Sequence, residues 1–552
     1  MKKPYLLLIV SLGMMIASCG PSDGHSSISR LSFEPSGSSS KGFSSVKSYE
    51  ELSDVKDDSI GLNTVVENGF SSARVGDLLQ SFDKVDYGYY GGTFEKKLEE
   101  PSSTVASHED LVKLFDYCAF YRIKEKNITI NINGLSKIEE CNLAVWDSTL
   151  IPGTVGTVFT ANPDGTIKAE FKYNDNANSY VPKQELGENV LYSYFPYVYD
   201  YANEGKTLIN SIPYVGETEL DVHNSDQLIY ALLNGYKPVM KDGSPAKRIY
   251  DFACQSLKSF IYSDMKDNEK LMAIDFFIAN STNYDYLSDD TAAYVSKNHA
   301  NNVEELACMF RGFYAEGVFF NSGAVCYGYA KAQALLASLL GFQVRLTHGK
   351  IDALSKDSND PILLNNESGN IYSSHGISLV RKDSNSKWGI CDPTYRSAGS
   401  LTLGNDDVQF KRSPAVMISY ETWSQIYTNA DEVGLKYIPE NEKVEESYSL
   451  RDDYRLVGGS TLTPSDMTES IKAMNDAFAT VKRVKEELHK GNGYYVITFY
   501  PYCNSDEEAL NYYYLYYEAK NSSELASTTT YFAAWQRADL CNFYGLSVYI
   551  YL

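Results

Sequence analysis

The stretch from Cys326 to Leu340 constrains this chain more than any other. No proline interrupts it, and Ala332, Ala334, Leu335, Leu336, Ala337, Leu339 and Leu340 are strong helix formers. Its apolar residues fall on nearly every face, so the pattern predicts a buried helix. Gly341 stands where a C′ residue ends such a helix. Cys326 then falls at the helix N-terminus, where backbone N–H groups and the macrodipole favour an anion. A thiolate placed there has a lowered pKa, and the thiolate is the nucleophile. A free cysteine is more often a small buried residue, so Cys326 takes its meaning from the residues downstream.

Three strand-like runs come after the helix: Phe342 to Gly349, Ser373 to Val380, and Lys387 to Tyr395, with turn residues Ser384, Asn385 and Ser386 between the last two. That hairpin places His375 at the start of one strand and Asp392 near the end of its antiparallel neighbour. A cysteine, a histidine to take its proton and a carboxylate to orient the histidine are the parts of a nucleophilic acyl-transfer site. His348 is the competing base, but it lies outside the pattern and reads as structural. His299 sits in a polar stretch and has no assigned role. His108 and His223 open helices and are expected to face solvent. Cys391 should point to the opposite strand face from Asp392, into the core.

Together, Cys326-Tyr-Gly328-Tyr329-Ala330, His375 and Asp392-Pro393-Thr394-Tyr395 resemble the transglutaminase-like superfamily of cysteine acyl-transfer enzymes. The resemblance covers roughly residues 245 to 400, and Asp267 to Tyr286 is similar to the helix that precedes the core in bacterial members. It implies an α+β fold with a papain/transglutaminase-like core. In that core a buried helix bearing Cys326 packs on an antiparallel sheet bearing His375 and Asp392, and smaller α+β modules flank it. The implied roles are Cys326 as nucleophile, His375 as general base and Asp392 as its orienting partner. The Cys326 backbone N–H is the natural first oxyanion donor, and the second is not assigned. Neither cofactor nor metal is implied.

One departure bears on activity: His375-Gly376-Ile377-Ser378 stands where many bacterial members carry His-Ala-Trp-Asn. Two classes of function stay open. In the first the protein is an exported cysteine enzyme that acts on an amide bond through a thioester, released by water (peptidase or amidase) or by an amine (cross-linking). In the second it is a catalytically weak or inactive surface binding module, which the altered segment favours.

At the N-terminus Lys2-Lys3 precedes an apolar run, Tyr5 to Ile16, too short to span a bilayer. It ends in Ile16-Ala17-Ser18-Cys19-Gly20, which resembles the lipobox of bacterial lipoproteins. That implies a lipidated Cys19 and a body held on the extracytoplasmic side of the cell membrane. The expected order is a signal peptide (1–19), a Ser/Gly-rich tether (20–48), an N-terminal α+β domain (49–210), the transglutaminase-like domain (211–440) and a C-terminal α+β module (455–552). Glu440 to Asp453 reads as a charged connector. A formal charge of −23 argues against a nucleic-acid partner. The expected partners are a protein or peptide substrate, and the membrane through the lipid anchor. Of nine cysteines, the seven besides Cys19 and Cys326 show neither a disulfide framework nor metal-ligand spacing.

Ser107 can cap a helix from Glu109 to Lys124, followed by a strand from Asn127 to Ile132. Thr157 to Thr160 and Lys168 to Tyr173 read as strands about a turn at Asn162-Pro163-Asp164-Gly165. Similar openings recur at Ser225 to Leu228 and Thr463 to Met467, each beginning an amphipathic helix. The first and third of these helices lead into strands, the latter at Tyr494 to Tyr500, which suggests two copies of one module flanking the core. Capping chemistry alone accounts for part of that similarity.

Overall fold

The computed structural model describes residues 82–84, 93–151, 156–173, 180–182, 197–200, 207–285 except 214–215, 311–352 except 322, 372–397, 400–402, 409–412, 415–426, 434–445, 466–488, 494–499, 506–536 and 544–551. The expected lipidation site Cys19, the tether and His299 lie outside the described residues. What the structure describes is a mixed α+β protein with both mixed and antiparallel sheets.

The N-terminal part holds β1 (Phe82–Lys84), β2 (Thr104–Val105), α1 (His108–Phe120), β3 (Glu125–Ile130), α2 (Lys137–Asp147), β4 (Gly156–Ala161) and β5 (Ile167–Lys172). The sheet runs β2-β3-β5-β4. Ser107 caps α1 as expected, its hydroxyl accepting the Asp110 N–H at 3.1 Å. The helix stops at Phe120, short of Lys124, because Arg122 takes a left-handed φ of 55° and turns the chain into β3. Helix α2 is not among the expected elements, although Ser136 and Glu139 form a reciprocal capping box at its start.

Asp116 on α1 is buried and accepts from the Ser148 hydroxyl at 2.5 Å and the Leu150 N–H at 3.1 Å. Burial pushes its pKa up to about 7 against those hydrogen bonds. Since the folded pKa lies above the unfolded one, ionisation opposes folding as pH rises from about 4 through 7. Asp116→Asn keeps the accepting oxygen and removes the charge. It should stabilise the protein by about 1–3 kcal/mol at pH 8 and by nothing at pH 4. Thermal melts at the two pH values check this, and an equal effect at both would contradict it.

Two short strands, β6 (Tyr180–Pro182) and β7 (Tyr197–Asp200), lead to the central part. There β8 (Thr218–Val222) and β9 (Tyr236–Met240) lie parallel about α3 (Ser225–Leu233), followed by α4 (Pro245–Phe260) and α5 (Asp267–Ser281). After β10 (Asn283–Tyr284), α6 (Ala315–Asn321) and β11 (Gly323–Ala324) comes α7 (Cys326–Leu339), every residue of which is buried. Gly341, at φ +89°, ends it as expected. Such a helix can hold a lysine only if the charge is met: Lys331, fully buried, places Nζ 2.9 Å from Asp226 Oδ1 at the start of α3. The pair ties α7 to its neighbour.

Three antiparallel strands, β12 (Gln343–Asp352), β13 (Tyr372–Arg381) and β14 (Gly389–Cys391), form a sheet in that order, and α7 packs against β12 and β13. The third expected strand is cut short. Pro393 begins α8 (Pro393–Ser397), the position where a missing N–H is tolerated. Beyond β15 (Ser400–Thr402) and β16 (Gln409–Arg412) lies α9 (Tyr420–Ile426). The expected connector also differs at its start. Trp388 N–H donates to Glu442 O at 2.7 Å and Val444 N–H to Trp388 O at 2.9 Å, so 442–444 extends the sheet next to β14.

The C-terminal part comprises α10 (Met467–Leu488), β17 (Tyr494–Phe499), α11 (Asp506–Asn521), β18 (Thr529–Gln536) and β19 (Tyr544–Tyr551). Its helix-strand-helix-strand-strand order matches α1-β3-α2-β4-β5. The pairing matches too: β19 lies antiparallel between β17 and β18, as β5 does between β3 and β4. The parallel strand beside β3 is the adjacent β2, whereas the one beside β17 is the distant β7. With β15 and β16 at the other edge, this six-stranded sheet draws strands from all three expected domains.

Candidate active site

Helix α7 brings Cys326 to its first position, with Val325 as N-cap and the Val325 N–H bonded to Gly312 O at 2.9 Å. The positive end of the macrodipole therefore lies at the thiol. His375 sits on β13, opposite Gly349 of β12. Ser378 pairs with Cys391, so Asp392 emerges just past the end of β14. There it caps α8: its Oδ1 accepts the Tyr395 N–H at 3.3 Å, and its own N–H donates to Ala415 O at 2.8 Å. The capping fixes the carboxylate, and Oδ2 meets His375 Nε2 at 2.7 Å. The Cys326 thiol hydrogen-bonds the same imidazole.

The three residues predicted from sequence are thus brought together. All are buried, Cys326 at 1% exposure and the other two at 0%. Burial pushes the His375 pKa down, but Asp392 and Cys326 together outweigh it and raise it to about 10. The imidazole holds a proton at neutral pH, which suits a thiolate–imidazolium pair beside a carboxylate. Cys391, by contrast, is fully buried behind the site, and burial pushes its thiol up to about 12.

Gly376, Ile377 and Ser378, which follow His375, each have a packing role. A Cβ on Gly376 would lie 2.9 Å from Tyr327 Cδ1, so the Tyr327 ring rests directly on the β13 backbone. Ile377 is wholly buried, and the Ser378 hydroxyl donates to Ala330 O at 3.0 Å. These contacts press α7 onto β13 and set Cys326 against His375.

Sequence reasoning missed a second polar cluster beside this one. His108 is not at the surface as expected but 9% exposed, because its ring is captured from both sides. Its Nδ1 lies 2.8 Å from Glu140 Oε1 and its Nε2 2.9 Å from Asp147 Oδ2. The Asp147 Oδ1 meets His348 Nδ1 at 2.8 Å and accepts the Thr347 hydroxyl at 2.7 Å. Tyr437 stacks on His108 at 3.6 Å and donates its hydroxyl to Glu140 at 3.1 Å. His348 therefore has a structural place, as expected, and not one in the triad. Next to Asp147, Trp146 stacks on Tyr327 with centroids 5.9 Å apart, so α2 reaches the residue after Cys326. His223, also expected to face solvent, is half-buried against Phe94 at 4.5 Å.

Among the described residues no group of three or more His, Cys, Asp or Glu side chains has the arrangement of a metal site. The second cluster is a chain of hydrogen bonds joining α1, α2 and β12. No family model matches this sequence, and no curated protein matches it.

Proposed function

We propose that this protein is a lipid-anchored, extracytoplasmic cysteine enzyme of transglutaminase-like type, with a papain-like arrangement of helix and sheet at its core. It cleaves or transfers an amide bond of a protein or peptide substrate. The observation that carries the reading is one imidazole shared between the Cys326 thiol and the Asp392 carboxylate at the start of a buried helix. The thiolate attacks the amide carbonyl carbon, and His375 gives its proton to the departing nitrogen as the C–N bond breaks. Water then attacks the thioester, His375 takes its proton, and the acid and free thiolate result. Hydrolysis is the favoured outcome, because water needs no second binding site to reach the thioester.

The opposing reading, an inert binding module, is favoured by the 1% exposure of Cys326. The two separate on thiol chemistry. Cys118 is an internal reference because it is equally buried, and burial pushes its thiol up to about 12. Iodoacetamide should label Cys326 at pH 6–7 at least about tenfold faster than Cys118, as expected for a paired thiolate. Peptide mass analysis of the labelled full-length protein reads both sites in one sample. Equal labelling of the two cysteines across that range would favour the inert module.

A further inference from the structure

Trp423 is fully buried and lies on α9, outside every motif of the proposed site. Its indole Nε1–H donates to Asp392 Oδ2 at 3.3 Å, the same oxygen that meets His375. Its ring lies nearly parallel to the imidazole, at 18° and 6.4 Å between centroids. Three features of the chain hold it there. Ile418 exchanges backbone hydrogen bonds with Ile390 at 3.0 Å each, so the segment leading into α9 runs along β14. Ser419 then starts the helix, its hydroxyl accepting the Thr422 N–H at 3.2 Å. Finally, Gly349 stands opposite His375 across the β12–β13 ladder, and a Cβ there would overlap the Trp423 ring. The indole fills the space that a side chain at 349 would need.

We infer that Trp423 is a positioning residue for the Cys326–His375–Asp392 site, acting through Asp392; this rests on the reading of the site proposed above. The imidazole takes one direction of Oδ2 and the indole another, while the Tyr395 N–H holds Oδ1. The carboxylate is thereby fixed in rotation as well as in place. A second donor also favours its ionised form, which is the form that keeps a proton on His375. A purely packing tryptophan would serve as well without its N–H.

Trp423→Phe in the full-length protein tests this, since it keeps an aromatic ring in the slot above Gly349 and removes the donor. Labelling of Cys326 by iodoacetamide at pH 6 should fall about 5–10-fold, the size expected for losing one typical net hydrogen bond. The pH profile should move toward that of an ordinary thiol, and the rate above pH 9 should stay within about twofold of wild type. A Trp423→Phe profile that superimposes on the wild type overturns the positioning role and leaves the proposed function standing. Wild-type Cys326 labelling no faster than Cys118 sinks both, because nothing would then be positioned. Should Trp423→Phe not fold, the indole N–H resonance decides, read in wild type and Asp392→Asn labelled with 15N-tryptophan. One of the four indole signals should move on loss of the carboxylate charge, and an indifferent spectrum overturns the assignment.

Discussion

Replacing His375 by alanine should turn Cys326 into an ordinary buried thiol and remove amide turnover. A positioned acid–base group contributes about 10²–10⁴-fold, and the thiolate would lose its ion-pair partner as well. Iodoacetamide labelling of Cys326 at pH 6.5 should therefore fall by about 100-fold and approach the rate of Cys118. Asp392→Asn should fall less in labelling, since it alters the tautomer and orientation of a base that is still present. The two losses should not add, because both remove the same ion pair.

His375→Ala also has a signature in stability that a merely local packing change lacks. The folded pKa of His375 is raised, to about 10, through Asp392 and Cys326 against its burial. Its contribution to stability is therefore fully present below about 6.5, the unfolded value, and is lost as pH rises through 10. Wild type should lose melting temperature across that window, and His375→Ala should not. At pH 6 the variant should be less stable by about 3–5 kcal/mol, because Asp392 keeps its buried charge without the ring. Parallel melting slopes for the two proteins between pH 6.5 and 10 would show that His375 is neutral in the fold.

The triad was legible in the sequence because each member carries a local signal as well as a chemical one. A helix that is apolar on all faces fixes where Cys326 sits, and its Gly341 stop appears in the structure at a left-handed φ. The alternation of 373–380 fixes His375 on a strand, and Asp392-Pro393 marks a strand end that becomes a helix cap. The expected third strand ran through Pro393 because that cap and an extended strand end share residue types. Trp423 and Gly349 carried no such signal: 74 positions separate them, and only the folded ladder brings the ring over the glycine. The His108 error has the same origin. A histidine at a helix start reads as exposed until its partners are known, and these come from α2 and the 3₁₀ turn at Leu435–Tyr437. Pairing of β7 with β17 lay equally out of reach, since short strands do not announce which sheet they will join. The module repeat, in contrast, was hinted at by capping residues and appears as one strand order used twice.

Asp147→Ala should cost the protein about 3–5 kcal/mol, the range for removing one member of a buried charged cluster. Its carboxylate is the shared acceptor for His108, His348 and Thr347, so one deletion leaves three buried groups short of a partner. Burial would raise its pKa, but His348 and His108 outweigh burial and hold it well below the usual carboxylate range. A depressed carboxylate stabilises the fold above its unfolded pKa of about 4 and ceases to do so as pH falls toward the folded value. The wild type should therefore be more stable at pH 6 than at pH 3 by a margin that Asp147→Ala lacks. The cluster joins α1 and α2 to β12, so its loss should expose the contact between α2 and β12 first. Limited proteolysis at pH 7 should then cut near the end of α2 in the variant while α7 stays protected. Because Trp146 rests on Tyr327, the residue after Cys326, the same variant should also change the rate at which reagents reach Cys326. Unaltered melting at pH 6 together with wild-type proteolysis would mean that the cluster is a solvated hydrogen-bond chain, and that apolar contacts alone hold α2 on β12.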